Sequence, residues 1–149
     1  MYSNGIGAYR KTAVTTADPG RLILMCYEGA ILQLKIAKTK YREKDYEGKG
    51  KAVTKTMAII DELTCALDFE KGGEIARNLE AIYNYITRRV LLADVTRDLG
   101  GIDEVIGILN DLLSAWKEIV EGQSQMLTPA PVQVGEKRVM GPVAHYLGA

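Results

Sequence analysis

Apolar residues recur at steps of three and four along most of this chain, and glycine, proline and acidic residues interrupt them at four places. Asp18-Pro19 marks the first helix start. Asp18 can cap free backbone amides, and Pro19 suits the first helical position, where a missing N–H costs nothing. From there to about Arg42, Ile23, Tyr27, Ala30, Leu34, Ala37 and Tyr41 form an unbroken heptad seam. Asp45 caps a second predicted helix to about Leu67. One of its stripes holds Val53, Met57, Ile60, Thr64 and Leu67, and the adjacent one Ala52, Thr56, Ile59, Leu63 and Ala66. Gly48 and Gly50 predict a frayed first turn there.

Asp68 to Gly73 is expected to be a tight connector. The third helix is predicted over about Glu74 to Val95, on a seam of Ile75, Leu79, Ile82, Ile86, Arg89 and Ala93 with Ala76, Tyr83 and Val90 beside it. Leu99-Gly100-Gly101 is expected to break the chain, with the glycine pair terminating a helix. The fourth helix then runs from about Ile102 to Val120, and Leu109 and Trp116 are its core candidates. Residues 1–17 read as an N-terminal arm anchored by Ile6, Tyr9 and Val14. Residues 122–149, with Pro129, Pro131 and Pro142 and no sustained period, read as a mobile tail. Four helices of about 20–24 residues, each ~30–36 Å long, joined by short connectors, predict an all-α fold: an antiparallel four-helix bundle.

One stretch carries more apolar surface than a bundle can bury. Leu22 to Tyr27 are six consecutive apolar residues, which at about 100° per residue pass fully round a helix. Val90-Leu91-Leu92-Ala93 repeats the excess more weakly. The arm, a second copy, or a partner's amphipathic helix could cover it. Met25 and Met57 suit a partner, because a thioether chain adapts to several shapes.

Composition narrows the classes. The chain has 149 residues, 47% apolar and 26% charged, enough for one domain with a core. Its 19 basic and 19 acidic residues cancel, which argues against nucleic acid as the main partner and allows some self-association. The last turns of the first helix carry several lysines and arginines, read as complementing the helix dipole. Cys26 and Cys65 fall in apolar helical patterns and are expected to be buried thiols in a reducing compartment. No apolar run reaches a membrane span, and Met1 to Tyr9 lacks a signal-peptide pattern, so the cytosol is expected.

Catalytic chemistry is missing. The single histidine, His145, falls in the predicted tail, which argues against a histidine-ligated metal bundle or a phosphotransfer bundle. It also leaves neither cysteine a nearby general base. Gly72-Gly73 lacks the following Lys and Ser or Thr of a phosphate loop. Glu28 and Glu62 are helical carboxylates without a partner histidine. No enzyme activity, metal or cofactor is expected.

Two stretches resemble a known family. The first is Ala8 to Thr12, then Val14 to Pro19, then Leu22 and Leu24 to Ala30. It resembles the opening signature of the FliS family, with Asp18, Cys26 and Glu28 as mild departures. The second, Leu67 to Ala76 followed by Asn78-Leu79 and Tyr83 to Tyr85, resembles that family's second connector and third helix. The resemblance covers about residues 5 to 120. It implies a four-helix bundle with an N-terminal cap that binds the disordered C-terminal segment of flagellin in the bacterial cytosol, prevents early polymerisation and helps present it to the flagellar type III export gate. A co-chaperone and a weak homodimer are further partners it leaves open, with no nucleic acid and no membrane insertion. The residues it carries over as partner-binding are Tyr9, Leu22, Met25 and Tyr27. The excess apolar surface adds Ile6, Met57 and Leu91. An adaptor of the same shape for another cargo, and a structural homo-oligomer, are the competing readings.

Overall fold

A computed structural model describes residues 18–126, and of 123–126 the backbone alone. It contains α1 (Pro19–Arg42), α2 (Tyr46–Cys65), α3 (Phe69–Thr96) and α4 (Leu99–Met126). The first three starts are each capped by an aspartate. Asp18 accepts from the Arg21 amide at 2.7 Å, and Asp45 from that of Gly48 at 2.9 Å. Asp68 accepts from the Glu70 and Lys71 amides, both at 3.0 Å. Each carboxylate satisfies amides that a first helical turn leaves unpaired. Gly48 and Gly50 lie within α2, because the Asp45 cap holds the turn that two glycines would otherwise loosen.

Three boundaries differ from the sequence expectation. Residues 69–72, expected within a tight connector, form a helical turn, and Gly73, at φ 50° and ψ −123°, kinks the chain before the long run of α3. That backbone region is open to glycine at little cost. Gly100 and Gly101 do not terminate a helix but lie in the first turn of α4. The terminator is Arg97, left-handed at φ 57°, and the Asp98 amide bonds back to the Ala93 carbonyl at 2.9 Å. A methyl group at Gly101 would lie 2.6 Å from the Arg89 guanidinium, so this glycine permits a close approach. Finally, α4 continues past Val120 to Met126. Loss of the apolar period marks where packing ends, whereas the backbone ladder continues through residues of fair helix propensity such as Gln123 and Gln125.

The helices form a closed ring in which α1 packs on α2 and α4, and α3 packs on the same two. They alternate in direction. Lys38 near the end of α1 pairs with Asp103 at the start of α4, and Lys49 at the start of α2 pairs with Asp94 near the end of α3 at 2.7 Å. At the opposite pole, Gly20 lies against the Val120 side chain. The bundle is thus up-down-up-down, as expected.

The core takes Tyr27, Ala30, Leu34 and Ala37 from α1, and Ala52, Thr56, Ile60 and Leu63 from α2. From α4 it takes Ile102, Val105, Leu109 and Trp116. The buried seam of α3 is Ala76, Leu79, Tyr83, Ile86, Val90 and Ala93. It is rotated from the expected one: Ile75 is exposed, and Arg89 turns to the α3/α4 edge to pair with Asp98 and Glu104. Arginine marks that edge because its charge must stay near water and carboxylates. Cys26 is half-buried, and Cys65 is exposed at the end of α2, contrary to the expected buried thiol. Helical spacing alone did not separate the last outward position of α2 from its inward stripes.

Candidate partner-binding surface

At the centre of the bundle three large side chains meet. The Trp116 indole N–H donates to the Tyr27 hydroxyl at 3.0 Å, and the hydroxyls of Tyr27 and Tyr83 lie 2.5 Å apart. The two tyrosine rings are tilted at 51° with centroids 6.4 Å apart. Burial pushes the Tyr27 phenol up to about 12, against the opposing effect of its hydrogen bonds. Among the described residues no buried side-chain polar atom lacks a partner. The cluster ties α1 across the bundle to α3 and α4, so this core is complete without an additional chain.

One of the expected partner-binding residues, Tyr27, belongs to this cluster. Tyr27 has no exposed surface, so a partner cannot touch it without opening the bundle. Its seam position, 3.6-periodic with Ala30 and Leu34, puts it inward. Leu22 and Met25 are half-buried. They lie on the side of α1 turned away from the seam, in line with Gly29 and Leu32, and the last of these is 55% exposed. Ile36 closes this stripe at the margin of the core. The spacing 22, 25, 29, 32, 36 is a second heptad, opposite the first. This signal was available in the sequence: the six-residue apolar run is its first turn, but its continuation through Leu32 and Ile36 was overlooked.

A methyl group at Gly29 would lie 3.4 Å from Ile59, so Ile59 of α2 stands beside the α1 stripe. Met57 is half-buried and packs on the core. Leu91 is 47% exposed and stands near Leu92 and Val95 on the outside of α3, two exposed residues the sequence reading did not select. Leu22, Met25 and Leu32 therefore form one surface and Leu91 another. Ile6 and Tyr9 lie outside the described residues.

The pole where α1 and α3 end is held by polar contacts. The Tyr41 hydroxyl donates to the Asp94 carbonyl at 2.7 Å and also to the Asp94 carboxylate. Burial, followed by that carboxylate, raises the Tyr41 phenol above its ordinary value. Glu104 accepts from Tyr85 and Arg89, which hold its carboxyl below the usual range, and Arg89 does the same for Asp98. These contacts fix helix ends. No group of three potential metal ligands occurs among the described residues. No helix among them is long and apolar enough to cross a membrane.

Comparison with known proteins agrees with this geometry. The family described as Flagellar protein FliS matches residues 2–123. The chain is 42% identical to the flagellar secretion chaperone FliS of Salmonella typhimurium, over 80% of this chain and 93% of that protein. It is 32% identical to the protein of the same name from Bacillus subtilis, covering 80% and 89% respectively. With that of Escherichia coli it shares 31%, over 89% and 98%. Matches across nearly the full length of these relatives place the chain in the FliS family of flagellar secretion chaperones, a non-enzymatic family.

Proposed function

We propose that this chain is a cytosolic export chaperone that binds the disordered C-terminal segment of flagellin, keeps it from polymerising early and assists its delivery to the flagellar type III export gate. The observation carrying this reading is the outward stripe of α1. Leu22, Met25 and Leu32 keep apolar surface exposed on a bundle whose own core is already filled. A heptad stripe is the complement of an amphipathic helix laid along it. A segment that folds on binding loses chain entropy as it does so, and a long apolar face offsets that cost. We propose further that flagellin takes over apolar surface from the arm residues Ile6 and Tyr9, which lie outside the described residues.

Titrating the purified chain with a synthetic flagellin C-terminal segment tests this. Saturable binding with a gain in helical circular dichroism is expected, and flagellin truncated at its C-terminus should not bind. Tyr9→Ala should weaken binding and leave the thermal transition in place. If Tyr9→Ala abolishes the cooperative transition, the arm is part of the fold and the displacement idea is wrong.

A further inference from the structure

The charge that cancels over the whole chain does not cancel along the bundle. Residues 35–55, which form the end of α1, the turn and the start of α2, carry eight basic and three acidic residues. The nearby end of α3 and start of α4, residues 88–104, are close to neutral, with three basic and four acidic. The remaining described residues carry four basic and eleven acidic. One pole is therefore basic and the rest of the bundle acidic.

Part of the basic excess has a local explanation. Lys38 and Lys49 tie the hairpin to Asp103 and Asp94 on the facing helices, and Lys51 pairs with Glu47. Lys40 meets Glu43 and Asp45, each at 3.5 Å, which raises its pKa, Glu43 first. Lys40 and Arg42 occupy the last turn of α1, where cations complement the helix dipole. Lys35 and Lys44 lie outside that turn. Lys35, Arg42 and Lys44 are exposed, and none of them forms an ion pair with another described residue. Lys35 flanks the outward α1 stripe between Leu32 and Ile36, so the uncompensated charge is continuous with the apolar face. Lys35 and Arg42, two helical turns apart on α1, are separated by about 10 Å along its axis, comparable to the Debye length of ~10 Å at 0.1 M salt.

We infer that the α1–α2 hairpin is an electrostatic docking site for an amphipathic protein segment whose acidic end lies over Lys35, Arg42 and Lys44 while its apolar stripe follows Leu32, Met25 and Leu22. The inference rests on the α1 stripe being a docking face, as above. It adds the sign of the partner's charge and the direction in which the segment lies. The acidic flank of the same bundle disfavours the reversed placement, because like charges would then face each other.

The test uses the full chain and two synthetic three-heptad peptides with identical apolar positions. One carries glutamates in its last heptad and the other lysines there. At about 0.05 M salt the acidic peptide should bind about tenfold more tightly. That preference should shrink to about twofold or less at about 0.5 M salt. It should shrink equally in the variant K35Q/R42Q/K44Q, which should melt like the parent. Equal affinity of the two peptides overturns the charge inference and leaves the stripe intact, whereas no binding of either overturns both. Comparable binding of a single-stranded oligonucleotide, lost in the same variant, overturns the assignment to protein. Low-salt self-association that the variant abolishes assigns the hairpin to a second copy and overturns it likewise.

Discussion

The two faces of α1 both carry apolar residues at heptad spacing, yet they differ in burial. On the inward face Tyr27, Ala30, Leu34 and Ala37 have no exposed surface at all. On the outward face Leu22 and Met25 are half-buried and Leu32 more than half exposed. The inward face meets partners already in the chain, including two hydroxyls and an indole arranged to satisfy one another. The outward face meets none among the described residues that would seal it. An apolar stripe is thus buried or left exposed according to what faces it, and substitutions on the two faces should separate stability from the proposed binding.

The inward face should give the largest effect. Trp116→Ala removes both the donor to Tyr27 and a nearly buried indole. It should lower unfolding free energy by about 3–5 kcal/mol, read from the midpoint of a urea titration. An unchanged midpoint would mean that the cluster does not hold α4 to α1. Alkaline pH probes the same cluster without mutation. The Tyr27 phenol is raised to about 12 when folded, against about 10 when unfolded. Its contribution is therefore complete below about pH 10 and is lost as pH rises to about 12, a fall of about 2–3 kcal/mol. Tyr41, shifted in the same direction, adds to the loss. A chain whose stability is flat over that range would contradict the buried phenol.

A smaller effect sharpens the comparison. Tyr83→Phe deletes one hydroxyl of the 2.5 Å contact while keeping the ring, and should cost about 1 kcal/mol. The outward face should give the least change in stability. Leu32→Ser is expected to leave the unfolding midpoint within about 0.5 kcal/mol of the parent while weakening the flagellin segment severalfold by calorimetry. If Leu32→Ser instead destabilises the bundle, the stripe is covered from within and the contrast between the faces disappears.

The fold was largely legible because helix signals are local. Two of the caps, Asp18 and Asp45, are readable as residue types beside periodic runs, and each bonds an amide its position predicts, whereas Asp68 was read as part of a connector. What escaped was decided by contacts between helices. Arg89 shares the helical phase of an apolar seam, but the carboxylates of Asp98, just before α4, and Glu104, on α4, draw it to the edge. Gly100-Gly101 has the composition of a stop, yet Gly101 serves as the flat spot beneath the Arg89 guanidinium. Of the expected partner-binding residues, Leu22 and Met25 share one surface, Tyr27 is core, and Leu91 stands apart.

The order of residues alone determined four amphipathic helices, their approximate ends, and an apolar excess on the first of them. These depend on backbone propensity, capping and a period of 3.6, which a linear string records. Which of two equivalent stripes on α1 would be sealed was settled only when α2, α3 and α4 closed around one of them. Burial is a property of neighbours distant in sequence: Tyr27 lies 56 positions from Tyr83 and 89 from Trp116.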